Sequence, residues 1–433
     1  MERYEDIKKK QIYSYKRALE VSNKFIEINP KLTYMSYPLF WLSYDYYRNG
    51  KCAEMRIEEK SAIEKNIPSF NIEKKRCFLV WGGVSTILIK TLEERFSAKA
   101  IKINMNRRGL NFLLFDTLNI SVRNVSHSGK YYIPECTPED LAKSISIFME
   151  NRLGAVERFI EKYTKALTTY NPIFALFDED RTKYKRAAAV SCRHTGVPSF
   201  TLQHGLTPYT SQSGIPYANE SFAPLYTDYF LAWGKTTENF MKENGVEKDR
   251  VIVCGRPLKT FRCRERKLKR DILVIDQQFL GFDDERELYY DGIKNLLNNS
   301  GFSSSIYLRG SYNLNYLKKI GLDKHCIKWS RNGIAKEICS SRAVVSYAST
   351  AVIEALELGV PSVSFDYLNR GDVFKMDSSS IVRTCLSAEI PEMAGKVCKR
   401  GTPDRDDVLQ TIISINGKES AGSVAEAISR VLK

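Results

Sequence analysis

The chain has 433 residues, 43% apolar and 27% charged, an ordinary globular composition that excludes a disordered or fibrous protein. At roughly 150 residues per domain, this length provides for two or three domains. Lys and Arg number 66 against 51 Asp and Glu, a net charge of +15 that favours anionic partners: nucleotides, phosphorylated substrates, acidic glycans, nucleic acid or an anionic membrane face.

No apolar run reaches the roughly 18 residues that a transmembrane helix needs, and the amino terminus, MERYEDIKKK, lacks the apolar core of a secretory signal. The ten cysteines contain no CxxC pair and the four histidines no HExxH, so neither a zinc ribbon, a thioredoxin-type motif nor an imidazole metal site is expected. Cys77 and Cys254 lie in apolar runs, where a thiol behaves as a small hydrophobe. The cysteines read as reduced and the protein as cytoplasmic.

In chain order, Ile12, Tyr15, Leu19, Val21, Phe25 and Ile26 predict a helix within the first 30 residues. The aromatic-rich stretch 32–50 reads as a core helix or cap, or alternatively as a surface facing an acceptor or a membrane. The apolar run Cys77–Trp81, the pair Gly82-Gly83 and a helical stretch over 85–96 open an α/β unit. A clearer unit follows: a strand at 172–177, the acidic trio Asp178-Glu179-Asp180, a helix over 182–194 and a strand at Ser199–Leu202. Functional loops of such units lie at the carboxyl ends of the strands, where the trio and Gln203-His204-Gly205 both fall. Strands at 229–233 and 251–254 flank a helix over 236–244, and Gly255-Arg256-Pro257 closes the series. The cationic run RCRERKLKR (262–270) reads as a solvated linker and lacks the interleaved aromatics that stack on nucleic-acid bases.

The second half repeats the plan. Strands are expected at 272–275, 305–308, 343–346 and Ser362–Phe365, with helices over 285–298, Gly333–Cys339, 351–358 and 423–432. This predicts an amino-terminal helical segment (1–74), a first Rossmann-like domain (75–260) and a second (261–433), the two domains facing a central cleft. The segment SYASTAVIEALELGVPSVSFD (346–366) is the most informative. A small-residue loop leads into a helix at Ser349 or Thr350 whose first amides suit a phosphate, and Glu354 lies one turn in, in reach of a ribose or sugar hydroxyl. The plainer alternative is that Ser349 is an N-cap and Glu354 a solvated helix residue.

Ser-x-x-Ser-Thr followed by Glu-Ala-x-x-x-Gly-x-Pro resembles the donor-binding segment of GT-B glycosyltransferases. With TLQHGLTPY (201–209) and LAWGKTTENFMKENGVEKDRVIVCGRPL (231–258), residues 170–370 resemble the capsular and surface polysaccharide group, which includes CDP-glycerol glycerophosphotransferases, polysialyltransferases and Kdo transferases. The resemblance implies an inverting, metal-independent transferase that moves a sugar or polyol phosphate from a nucleotide-activated donor to a hydroxyl of an oligosaccharide or lipid-linked surface glycan. No further cofactor is implied, and contact with a membrane would be peripheral. His204 matches the general base proposed for the glycerophosphotransferase branch, a role open to an imidazole near neutral pH; alternatively it bonds the backbone of its own turn. Arg309-Gly310 stands in YLRGSYNLNYL (307–317) where the group carries His-Pro. An arginine binds phosphate bidentately but does not give up a proton. Arg309, Ser311, Ser349, Thr350, Glu354 and Arg256 are therefore the expected donor-binding set, and Gly82, Gly83 and Gln203 the cleft lining. Asp178-Glu179-Asp180 has three readings: a metal-binding DxD, a base at Asp180 or Glu179, or a cap for the helix that follows. A UDP-sugar 2-epimerase or hydrolase of the same fold, and a non-catalytic basic protein that binds glycan or nucleic acid, are the rival functions.

Overall fold

The computed structural model describes residues 2–29, 43, 47, 76–103, 137–150, 154–180, 183–205, 225–257, 267–276, 283–299, 301–308, 313–327, 333–347, 349–366, 381–399, 413–414 and 417–433. Its strands are β1 (Cys77–Trp81), β2 (Lys99–Ile103), β3 (Ala175–Phe177), β4 (Ser199–Leu202), β5 (Tyr229–Ala232), β6 (Val251–Val253), β7 (Arg270–Ile275), β8 (Ser304–Tyr307), β9 (Cys326–Ile327), β10 (Ser341–Tyr347), β11 (Ser362–Phe365) and β12 (Ile381–Thr384). The α-helices among the described residues are α1 (Glu2–Ile28), α2 (Thr86–Phe96), α3 (Pro138–Glu150), α4 (Gly154–Tyr170), α5 (Lys183–Thr195), α6 (Lys235–Glu243), α7 (Asp283–Asn299), α8 (Leu314–Lys319), α9 (Gly333–Cys339), α10 (Ala351–Glu357), α11 (Ile390–Cys398) and α12 (Gly417–Val431).

The strands form two six-stranded sheets, ordered β2-β1-β3-β4-β5-β6 and β12-β11-β10-β7-β8-β9. All pairs are parallel. Parallel neighbours need crossover connections, and helices supply them. Both faces of each sheet are therefore covered, which is why β1 and β3 are unbroken apolar runs rather than alternating ones. All five residues of β1 are buried. One face of the first sheet packs on α4 and α5, with Phe159, Tyr163 and Ala188, and takes Val21 and Phe25 of α1 into the same core. The second sheet is clad by α7 and α11 on one face and by α9 and α10 on the other.

Two features differ from the sequence expectation. The last helix, grouped above with residues 261–433, instead covers the outer face of the first sheet. Ala421, Val424, Ala425 and Ile428 join Leu88 and Leu92 of α2 in that core, and Ser420 Oγ donates to the carbonyl of Cys254 at 2.9 Å. Its small-residue stripe fits closely against α2, a match that no local pattern announces. Cys339, read as a reduced thiol, is disulfide-bonded, because spacing along the chain does not say which thiols the fold brings together. Of the aromatic stretch 32–50, only Ser43 and Tyr47 are described; both are buried, Tyr47 in the first core. The cationic run 262–266 lies outside the described residues, and among those described no helix is long and apolar enough to cross a membrane.

Candidate active site

In an open parallel sheet, ligands bind beyond the carboxyl ends of the strands, at the point where successive connections leave in opposite directions. The strand orders put that point between β1 and β3 in the first sheet and between β7 and β10 in the second. Trp81 pairs with Phe177 at the common end of β1 and β3, and Ser346 pairs with Ile275, one residue before the end of β10.

At the first point, the Gly83 N–H donates to Asp178 Oδ2 at 2.7 Å and the Asp178 N–H to the Trp81 carbonyl at 3.0 Å. Gly82 has φ +81°, and a Cβ there would lie 2.1 Å from Asp178 Oδ2, so both conformation and space demand glycine. Lys185, from the first turn of α5, places Nζ 2.6 Å from Asp178 Oδ1 and 3.1 Å from Glu179 Oε1. Lys185 lies five residues beyond Asp180, and no local pattern marks it. It balances the charge that a metal-binding DxD would use. Asp180 points elsewhere. It is 3% exposed, and its Oδ2 accepts the Tyr226 N–H at 3.0 Å. Arg186 donates to the Asp180 carbonyl at 3.0 Å and lies over the Tyr226 ring. Burial pushes the Asp180 carboxyl above its ordinary value, against the pull of Arg186 and the backbone amides. These contacts make Asp180 an anchor for the segment entering β5.

At the end of β4, Gln203 is buried and binds both ways. Its Nε2 donates to the Gly205 carbonyl at 2.8 Å, and its Oε1 accepts the Trp233 N–H at 2.6 Å. The turn's backbone is thus held by Gln203, while His204 between them is exposed. Gly205 has φ +84°, and a Cβ on it would lie 3.5 Å from Thr350 Oγ1 of the second domain. The His204 turn and the loop before α10 therefore face each other across the domains.

At the second point, Asp276 is 3% exposed and accepts hydrogen bonds from the Tyr290 hydroxyl and from Asn313 Nδ2, the latter at 2.7 Å. It is a buried carboxylate that no local pattern marks. Ser346 and Ser349 hydroxyls lie 3.1 Å apart, and Ser349 Oγ accepts the Ala351 N–H at 3.3 Å, the bond of an ST turn. Thr350 makes no side-chain cap bond. Arg309 and Ser311 lie outside the described residues.

Arg256 and Glu354, both expected to touch the donor, lie against each other. Arg256 Nη2 is 3.4 Å from Glu354 Oε1, its Nη1 is 2.5 Å from Glu357 Oε2, and its guanidinium lies 5.2 Å from the centre of the Trp233 ring. Trp233, from the first domain, packs with Val352, Ile353 and Leu356 of α10 and with Ile413. Its carbonyl accepts the Ser414 N–H at 3.0 Å. This interdomain seam was not legible in the sequence, where Trp233 reads as the last residue of a strand. Elsewhere, a concavity of about 340 Å³ lined by Arg193, Asp228, Glu247 and Arg250 opens near the start of β5. Its arginines are engaged by the carbonyls of Leu225, Tyr226, Thr227 and Asp228, and it lies at the opposite end of the strands from the cleft.

No known protein family and no curated protein matches the sequence. Solved structures do match. The UDP-GlcNAc 2-epimerase of Methanocaldococcus jannaschii, in complex with UDP-GlcNAc and UDP, aligns over 82% of this chain and 99% of its own at 10% identity and a TM-score of 0.51. S. aureus MnaA with UDP aligns over 83% of this chain and 95% of its own at 12% identity and a TM-score of 0.50. The lipopolysaccharide outer core galactosyltransferase WaaB aligns over 82% and 99% at 12% identity and a TM-score of 0.45. The chain has the GT-B fold. At these identities the likeness extends to architecture, two Rossmann-like domains across a cleft, and the chemistry rests on this chain's own residues.

Proposed function

We propose that the protein is a metal-independent glycosyltransferase that moves a sugar, or a polyol phosphate, from a nucleotide-activated donor to a hydroxyl of a surface glycan. The observation that carries this reading is the approach of Gly205 to Thr350, because it sets the exposed His204 opposite the Ser349-Thr350 loop at the mouth of the cleft. In this reading the acceptor lies on the first domain and the donor on the second. His204 takes the proton of the acceptor hydroxyl as its oxygen attacks the donor. The bond from the transferred group to the nucleotide's terminal phosphate oxygen breaks, and negative charge builds on that phosphate. Ser349, Thr350 and Arg309 stabilise that charge. The ion pairs that Lys185 makes with Asp178 and Glu179 support metal independence. The net charge of +15 supports an anionic donor and glycan, and peripheral contact with an acidic membrane face. The motifs shared with the capsular group support the acceptor class, and the UDP complexes of the similar folds make UDP the first nucleotide to test.

The test is thermal shift with CMP, CDP, UDP, GDP and ADP, with and without EDTA, on wild type, Arg309→Ala and His204→Ala. A ligand that binds only the folded chain raises its melting temperature. The expected result is a shift with one nucleotide that survives EDTA, falls in Arg309→Ala and persists in His204→Ala, together with transfer activity lost in His204→Ala. A shift that only metal restores, or none at all, overturns the donor site. Epimerisation or hydrolysis of the free nucleotide sugar, unchanged by acceptor, replaces transfer with the rival reaction.

A further inference from the structure

We infer that Trp233 is the positioning residue of this site: through Gln203 it fixes the His204 turn, and through its ring it seats that turn against the second domain. The role given to the turn rests on the reading above; the coupling rests on geometry alone. β4 and β5 are in register up to Leu202 and Leu231, and the ladder makes one more bond, from the Gln203 N–H to the Leu231 carbonyl at 3.1 Å. Beyond it the chain turns away at His204-Gly205, which removes the carbonyl that would next have received the Trp233 N–H. The Gln203 side chain fills that place. Its carbonyl accepts the Trp233 N–H and its amide donates to the Gly205 carbonyl. The bond to Trp233 is buried and the bond to Gly205 partly so, and an unmade bond in such a place is costly, so the turn and Trp233 hold one geometry together.

The other side of Trp233 belongs to the second domain. Its ring lies among Val352, Ile353 and Leu356 of α10, Ile381 and Ile413, and Arg256 covers it while reaching Glu354 and Glu357 of the same helix. Its carbonyl is bound by both the N–H and the hydroxyl of Ser414. The Thr350 end of α10 in turn meets Gly205. The turn is thus tied to α10 through Gln203 and Trp233, and its Gly205 lies beside Thr350. Movement of the second domain that displaces α10 displaces Trp233, and with it the orientation of His204.

The experiment uses the full chain and the variants Gln203→Met, Trp233→Phe and Trp233→Leu, with Phe240→Leu as a control in a separate core behind β5. Amide hydrogen exchange is read on segments 199–205, 230–234 and 351–358. Trp233→Leu is expected to speed exchange in the turn and in α10 together, and Gln203→Met at the Trp233 amide and the turn, while Phe240→Leu leaves segment 199–205 unchanged. Loosening of α10 by Trp233→Leu with no change in 199–205 overturns the coupling, as does an unchanged Trp233 amide in Gln203→Met. Where wild type transfers sugar, Gln203→Met is expected to lower kcat about 10–100-fold, the scale of a misplaced catalytic group, with donor KM within about twofold. An effect confined to donor KM overturns the positioning role. Absence of turnover in wild type removes the catalytic reading, and the exchange results still decide the coupling.

Discussion

Arg256 Nη1 lies 2.5 Å from Glu357 Oε2, which ties the loop after the last strand of the first sheet to the helix that opens the candidate donor site. The arginine side chain is 8% exposed and the two glutamates 30% and 18%, so this is a partly buried pair in which the cation is the more desolvated partner.

Arg256→Ala is therefore expected to destabilise the chain by about 2 kcal/mol, below the roughly 3–5 of a fully buried broken pair because the glutamates keep some solvent. Arg256→Lys is expected to recover only part of this, since an ammonium cannot serve both carboxylates and the Trp233 ring from one plane. Urea denaturation of the three proteins measures it, and a wild-type midpoint in Arg256→Ala would show the seam to be unimportant.

The two glycines after β1 are expected to differ sharply. Gly82→Ala meets a positive φ and the Asp178 carboxylate at once, and its loss should reach about 3 kcal/mol or more. Gly83→Ala finds its nearest contact, Asp178 Oδ2, at 3.7 Å and should stay within about 1 kcal/mol. Melting temperatures decide it, and equal losses would refute the packing described here.

Asp180 has a carboxyl raised above its ordinary value of 3.8 by burial. The sign follows directly. The folded state holds this proton more tightly than the unfolded one, so the stabilisation is complete below that ordinary value and is lost as pH rises through the folded value. The stability of wild type relative to Asp180→Asn should fall across that interval, by about 1.4 kcal/mol for each unit separating the two values. Denaturation at pH 3.5, 5 and 7 tests this, and a pH-independent difference would contradict it.

Burial pushes the Cys254 thiol up to about 12 and those of Cys326 and Cys398 to about 11, the latter two with help from Asp276 and Asp271 respectively. At pH 8 about one thiol in a thousand or fewer is then a thiolate at these sites. Native protein treated with iodoacetamide at that pH should leave all three unmodified, and denatured protein should lose the protection. Mass spectrometry of the peptides reads the outcome.

The Rossmann-like alternation was legible because a strand buried on both faces must be apolar throughout. Cys77–Trp81 carries that constraint in consecutive residues, and the Gly82-Gly83 turn marks its end. β2, the edge strand KAIKI, escaped because its lysines break the run. The two-residue β9 is too short for any period. Gln203, His204, Gly205, Ser349 and Thr350 were found for the same local reason, as polar or small residues placed where strands stop.

Their meanings came from contacts between residues far apart in the chain. The Asp180 carboxylate accepts the Tyr226 N–H, and the fold sets Arg256 against Glu354. Periodicity and turn chemistry constrain residues within a few positions, so the buried strands, the helices that follow them and their carboxyl ends were decided by sequence alone. Which tryptophan spans the seam and which helix returns to the other sheet depend on packing between segments a hundred or more residues apart, and only the tertiary structure decided them.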